Sequence, residues 1–572
     1  MKKRSYVLLS AWLIIPVLVL GILVTGTSAQ EPKYGGTLRY LDLGFTLNPL
    51  SWDNADWVWK HGNDTGFYME HLIMGDLQKG PRGTKLYDFH ASAWIPPEVQ
   101  RGELLQSWEV KKNPPRIVFH LRKGVFWQEK PGVMKAREFT AHDIVYSVTR
   151  LKNARKAIPL YLDFIDRWEV VDKHTVIMHM KEWCADWDYR MAWGYYDAVQ
   201  APEQEKAPGG PGKWQNACGT GPYMITDYKE GHSETFTKNP NYWDSETIMG
   251  KQYKLPFADR IVMMIIKDES TAITALKTGK IDLHMLINWK YVADIKKSAP
   301  QLQWSRRLYT NSYTMVMRMD TKPFDDIRVR RALNMAVNQK EIVDSFYGGN
   351  AEIAQYPFPK TFTSVYTPPD KLPPTARDLF TYNPEKARKL LAEAGYPNGF
   401  TFKAQVANNS QDGLDLASMV ASYLAKIGVK MELEPLDYPS WLSRMTKKTH
   451  APGFFLSTDH GTPFAGTRKN FLSGQPWNPH MMKDPYVDKL WDSTVENPKL
   501  TTKQAHAEMK KLAVYALDQA PAIMLPVPYV YAAWWPWVKN YYGEIRVGAW
   551  RTAPILARIW IDQDMKKKMG FE

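Results

Sequence analysis

From Lys33 onward, stretches of strand period and stretches of helix period take turns along the chain, and this interleaving restricts the fold class more than any other feature. Lys33 to Leu41 alternates apolar and polar side chains, as a half-buried strand does. Residues 118–122, 223–228, 257–266 and 429–433 read as strands too. Thr140 stands three residues before Asp143 and ahead of Ile144, Val145, Val148 and Leu151, an N-cap followed by an apolar helical stripe. Val329, Ala332, Leu333, Ala336 and Val337 predict one helix from Asp326 toward Gly348. Asn383-Pro384-Glu385 opens another that Gly395 stops, and Leu416 to Ile427 forms a third, ended by Gly428. A short helix is predicted around Ile273 and Leu276, then a strand from Ile281. The stretch 201–219, rich in proline and glycine, is a predicted loop or linker, and 356–374 is a proline-rich interval. The class is α/β or α+β, and 572 residues are too many for one core.

The N-terminus sets the compartment. Lys2, Lys3 and Arg4 precede an apolar run from Val7 to Val24, then Thr25-Gly26-Thr27-Ser28-Ala29. A positive head, an apolar middle and a small-residue exit describe a secretory signal peptide cut after Ala29. The run is near the length that spans a bilayer, so an uncleaved anchor is the alternative; Pro16, Gly21 and the small residues favour cleavage. No cysteine lies near the junction, which excludes a lipid-modified N-terminus. The protein is expected outside the cytoplasm and soluble.

Export changes how Cys184 and Cys218 read, since they are the two cysteines of the chain. One disulfide closing a loop of about 34 residues is expected, worth roughly 3 kcal/mol; two separate buried thiols are the alternative. The formal net charge of +14 falls by three without Lys2, Lys3 and Arg4. The remaining positive residues are dispersed, which gives a general surface field and no nucleic-acid site.

The stretch GTGPYMITDYKEGHSETFTKNPNYW, from Gly219 to Trp243, resembles a phosphate loop only at first sight. Pro222 and a two-residue period follow the glycines, so a strand comes next, whereas a phosphate site needs a helix N-terminus. No G-x-S-x-G elbow, H-E-x-x-H helix or calcium loop is present, and the thirteen histidines show no ligand spacing. No catalytic residue, metal site or cofactor is expected. A pair of carboxylates for glycoside hydrolysis can meet in space without a motif, so a secreted hydrolase stays as a remote alternative.

Taken in order, KYGGTLRY, VFHLRKGVFWQ, FTAHDIVYSVTRL, GTGPYMITDYKEGHSETFTKNPNYW, TALKTGKIDLH, PFDDIRVRRALNMAVNQKEIVDSFYGGNA and YNPEKARKLLAEAGYPNGF resemble the family-5 extracellular solute-binding proteins, the peptide-binding components of ABC importers. The resemblance runs from about Lys33 to about Gly543. It implies a two-lobed α/β clamp of the periplasmic-binding-protein kind, with mixed sheets, an extra inserted domain and a ligand cleft between the lobes. After the signal peptide at 1–29, the first lobe would hold 30–75, 215–305 and 515–572, with the extra domain at 76–214 inserted and the second lobe at 306–514. The glycines of G-T-G-P-Y would serve backbone conformation at a crossing between lobes.

The resemblance also implies a ligand site. Asp459 takes the place of the aspartate that pairs with a peptide's α-ammonium, and Tyr438 that of an aromatic flanking the ligand. Trp441, His460 and Trp57 are counted with them. Two departures, Leu456 for an aromatic and Thr462 for an acid, leave open that Asp459 caps a loop or helix. The implied partners are a short peptide and the permease subunits of the inner membrane, with the protein a monomer. An oligosaccharide is the alternative ligand, stacked between tryptophans such as Trp52, Trp57, Trp59, Trp441, Trp534, Trp535 and Trp537, each of which could equally be core. Other members of the family bind nickel complexes or opines.

Overall fold

A computed structural model describes residues 31–42, 50–56, 60–154, 161–194, 199–353, 358–458 and 461–571. The expected signal peptide lies outside the described residues, as do Trp57, Trp59, Asp459 and His460. No helix among the described residues is long and apolar enough to cross a membrane.

Three sheets organise the chain. The largest has eight strands, with Thr37–Leu41 at its centre running parallel to both Arg260–Met264 and Leu283–Asn288. Ser233–Lys238 and Tyr223–Lys229 extend one side; Val527–Trp534 and Gln303–Leu308 extend the other, and Ala351–Glu352 pairs with Val527–Trp534. A second sheet orders Lys430–Leu436, Thr401–Ala407, Gly453–Thr458, Ser312–Met317 and Ala522–Met524. The third is an antiparallel meander of Leu105–Lys112, Pro115–Leu121, Thr175–Met180 and Ile165–Asp172. Two short links join the first sheet to the second: residues 309–311 and residues 525–526.

The second sheet shows how period two divides a core. Met315, Met317 and Phe455 enter a cluster with Phe324, Leu333 and Leu416 on one face. Val316, Phe454 and Leu456 point the other way, onto Trp441 and Met445.

The caps read from sequence are present. The Thr140 N–H donates to Asp143 Oδ2 at 2.9 Å at the head of Ala141–Lys152. Asn383 Oδ1 accepts from the Lys386 N–H at 2.9 Å at the head of Pro384–Glu393. The helix expected over 326–348 is broken. Ile327–Ala336 ends at Val337, whose φ of −95° and ψ of 120° are extended. Asn338 then caps a new turn by accepting from the Glu341 N–H at 3.1 Å. An asparagine side chain competing for backbone donors outweighs a continuous apolar stripe there. The third helix starts earlier than Leu416, at Gln411, because Ser410 caps it.

The glycines at 219 and 221 need a different account from backbone freedom. A Cβ on Gly219 would lie 1.7 Å from the Tyr68 carbonyl oxygen, and one on Gly221 would lie 2.8 Å from that of Phe67. Neither has a positive φ. Their absent side chains let this segment run against residues 67–68, where the Gly221 N–H donates to the Tyr68 carbonyl at 2.9 Å.

The expected disulfide is absent. Cys184 and Cys218 are both free and buried. Cys184 lies beside Asp186 and Arg190, whereas Cys218 Sγ packs 3.6 Å from Met134 Sδ. Each thiol is buried in its own place, and burial pushes their pKa values up to about 11 and about 12.

Candidate functional site

The carboxyl end of a parallel strand is where an open α/β sheet leaves room for a ligand, because the chain turns away there. Asp42 follows Leu41 at that end of the central strand. Asp42 lines a cavity of about 370 Å³ with His284, Tyr309, Asn311, Tyr313 and Asp412, so the cavity draws on the first sheet, one interlobe link and the helix packed on the second sheet. Polar contacts bridge its rim. Lys290 Nζ donates to Asp412 Oδ1 at 2.7 Å and Asn288 Nδ2 to Asp412 Oδ2 at 3.1 Å. Tyr313 Oη donates to Ser410 Oγ, or accepts from it, at 2.7 Å. Burial drives His284 down to about 3, so its imidazole is neutral at physiological pH.

A second cavity, of about 340 Å³, opens between the four-stranded meander and the helices Pro463–Phe471 and Thr502–Asp518. Trp94, Trp108, Trp183, Trp187, Trp193 and Phe464 form its walls. Trp94 stacks on Phe362 at 5.2 Å and 3°. Asp188 in the wall accepts from Trp193 Nε1 at 3.0 Å and from Gln100 Nε2 at 2.8 Å. Asp186 beside it is buried, which raises it to about 6 against the pull of Arg190 and Arg468.

The site residues expected from sequence are not gathered at either cavity. Trp441 stacks on Phe454 at 4.9 Å and donates its Nε1–H to the Phe455 carbonyl at 3.0 Å, a core anchor of the second sheet. Tyr438 lies on Trp441 at 5.5 Å and 21°, half-buried. Neither lines the two cavities. Asp459 and His460 fall outside the described residues, but their flanks are placed. Thr458 pairs with Ser312, and a Cβ on Gly461 would come within 2.9 Å of Tyr189 Oη.

With Trp441, five of the tryptophans offered as sugar walls are core. Trp535 and Trp537 stack at 4.6 Å and 6°, with Nε1 donors to the Leu276 carbonyl and Asp282 Oδ1. Trp534 donates to Gln303 Oε1 at 2.6 Å, and Trp52 packs edge-on to Tyr228. Indoles buried in the core offer no free face to stack on a sugar. The tryptophans that do wall a cavity were missed. Trp183 and Trp187 share a spacing of four, but no periodic pattern links them to Trp94 or Trp108 across the chain.

Two α/β lobes joined by two short links over a polar cleft define a binding clamp. The family described as bacterial extracellular solute-binding proteins, family 5, matches residues 100–477, well over half the chain. The chain belongs to this family. It is a binding component, not an enzyme. Heme-binding protein A of Haemophilus influenzae is 29% identical over 77% of this chain and 81% of its own length. Di/tripeptide-binding protein 1 of Pseudomonas aeruginosa is 28% identical over 73% and 79%. The fold is also that of the binding protein DppA from Helicobacter pylori in complex with the peptide STSA, at a TM-score of 0.73 and 21% identity, covering 93% of this chain and 99% of that one.

Proposed function

We propose that the protein captures short peptides in the cleft between its lobes and delivers them to the permease of an ABC importer. The observation that carries this is the pairing of an interlobe cleft with family membership, in a chain whose relatives include one named for di- and tripeptides. Asp459 is the proposed partner of the peptide ammonium, with Tyr438 packing nearby and His460 and Trp57 in the same site. The division at 30–75, 76–214, 215–305, 306–514 and 515–572 belongs to the same proposal. The meander falling inside the second interval supports it, whereas the links at 309–311 and 525–526, which suit a hinge, favour moving the second lobe's bounds from 306 and 514 to about 312 and 524. Export by the segment 1–29 and a monomeric state complete it.

The test is a thermal-shift series with the exported chain. Di- to pentapeptides, the same peptides N-acetylated, cello- and xylo-oligosaccharides, and hemin are compared. A ligand at a hundred times its dissociation constant adds roughly 2.7 kcal/mol and raises the midpoint by a few degrees. Free peptides should shift it and acetylated ones should not. A shift with sugars or hemin alone overturns the peptide assignment.

A further inference from the structure

The tryptophan-walled cavity shares no lining residue with the cleft cavity, and two polar groups in its wall are incompletely answered by the protein. The first is Asp188. Burial raises its carboxyl above the ordinary value, and the N–H groups of Trp193, Gln100 and the Tyr189 backbone draw it back. All three donors are neutral, and no lysine or arginine pairs with Asp188 among the described residues. Asp186 beside it differs, since Arg190 Nε stands at 3.3 Å and Arg468 adds a second charge. Lys112, the one lysine in the wall, is engaged by the Leu500 carbonyl.

The second is His506, 9% exposed, its ring centroid 6.3 Å from that of Trp94 and 5.3 Å from that of Phe464. Neither of its ring nitrogens has a hydrogen-bond partner among the described residues. Burial holds it down to about 4, so the imidazole is neutral and keeps one free donor and one free acceptor. The charged groups of the wall are therefore two carboxylates against one lysine that is already engaged. A desolvated carboxylate among indole rings draws a cation. The indole nitrogens only donate and Asp188 already receives three N–H bonds, so an ammonium rich in N–H donors would leave some of them unmade. A methylated ammonium has none to satisfy.

We propose that the cavity between the meander and the helices Pro463–Phe471 and Thr502–Asp518 is a second ligand site, which takes a small methylated ammonium compound. Asp188 supplies the counter-charge, the tryptophan rings pack on the methyl groups, and His506 hydrogen-bonds a hydroxyl on the same molecule. A volume of about 340 Å³, at the small end for ligand sites, suits a compound of that size. The site stands on its own residues and does not depend on what the cleft captures.

The exported chain and its D188N and W108L variants are tested by titration calorimetry with three probes. Choline carries the methylated cation, 3,3-dimethylbutan-1-ol is its neutral isostere, and ethanolamine is its primary-ammonium counterpart. Wild type should bind choline saturably and roughly tenfold or more tighter than either of the others. D188N should bring the ratio of choline to the neutral alcohol down to about one. Absence of saturable choline binding, or equal affinity for choline and the neutral alcohol, overturns the proposal. Tighter binding of ethanolamine than of choline overturns the methylated class. A ratio untouched in both variants places choline elsewhere on the protein and overturns the site. Should D188N not fold, W108L, which removes a half-buried wall of the cavity, is read by the same ratio, a fall supporting and no change opposing.

Discussion

The Ala185 N–H donates to the Val495 carbonyl at 2.9 Å, tying the segment after the four-stranded meander to the end of the helix Pro485–Val495. Two side chains reinforce this seam. Lys112 Nζ reaches the Leu500 carbonyl at 2.7 Å while lying 4.9 Å from the Trp183 ring, and Thr462 Oγ1 donates to Asp186 Oδ1 at 3.4 Å. Together they close one side of the tryptophan-walled cavity and tie the meander to the segment 462–500.

If the clamp opens to admit solute, contacts across this seam exist in the closed form alone and contribute to affinity without touching the ligand. Lys112→Met keeps the apolar stem and removes the bond. It should cost about 1 kcal/mol of closure, weakening the captured solute roughly fivefold with a faster off-rate. Calorimetry and stopped-flow read both. Unchanged values would mean that the seam persists when the clamp opens.

Gly219→Ala should destabilise the protein by about 3 kcal/mol, because its Cβ would meet backbone atoms of Tyr68 that have no room to retreat. Gly212→Ala is the matched control. Its Cβ would find Ser51 Oγ at 3.6 Å, an ordinary contact, so the change should stay within about 0.5 kcal/mol. Urea unfolding of the two variants measures the difference.

How much was legible in the sequence follows from the range of the interactions involved. Thr140 with Asp143 and Asn383 with Lys386 act within one helical turn, so their spacing announces them. The ordered motifs gave the family and with it the two-lobed fold. The pairing of Asp42 with Arg546 joins residues about five hundred positions apart, and no local period encodes it. The glycines at 219 and 221 were visible as residues, but their reason, the carbonyls at 67 and 68, belongs to another part of the chain. Tryptophans failed as markers for a related cause. Trp537, in the core, and Trp187, at a cavity, look alike in sequence and differ in what the tertiary fold lays beside them.

Cys184 and Cys218 should both be free thiols and inert while the protein is folded. The thiolate is the reactive species, and burial raises both groups to about 11 or above. Ellman's reagent should find almost no thiol in buffer and two per chain in guanidinium, and a reductant should leave the melting midpoint unchanged. An intact mass 2 Da lower with no thiol on unfolding, by about the mass of two hydrogens, would restore the disulfide.

Acidification should destabilise the protein between about pH 6.5 and 4, because burial lowers five histidines. His90, His450 and His506 fall to about 4, and His284 and His480 to about 3. As pH drops through the unfolded value near 6.5, the unfolded chain takes up protons that the folded one refuses, so stability is lost at about 1–2 kcal/mol per histidine by pH 5. Asp186 has the opposite sign. Its pKa is raised to about 6 when folded, so between about 6 and 4 the folded state binds the extra proton and gains stability. Asp186→Asn should therefore steepen the decline on acidification while leaving its direction intact. Unfolding midpoints at pH 7, 6 and 5 for both proteins check this, and parallel curves would show that Asp186 is already ionised throughout.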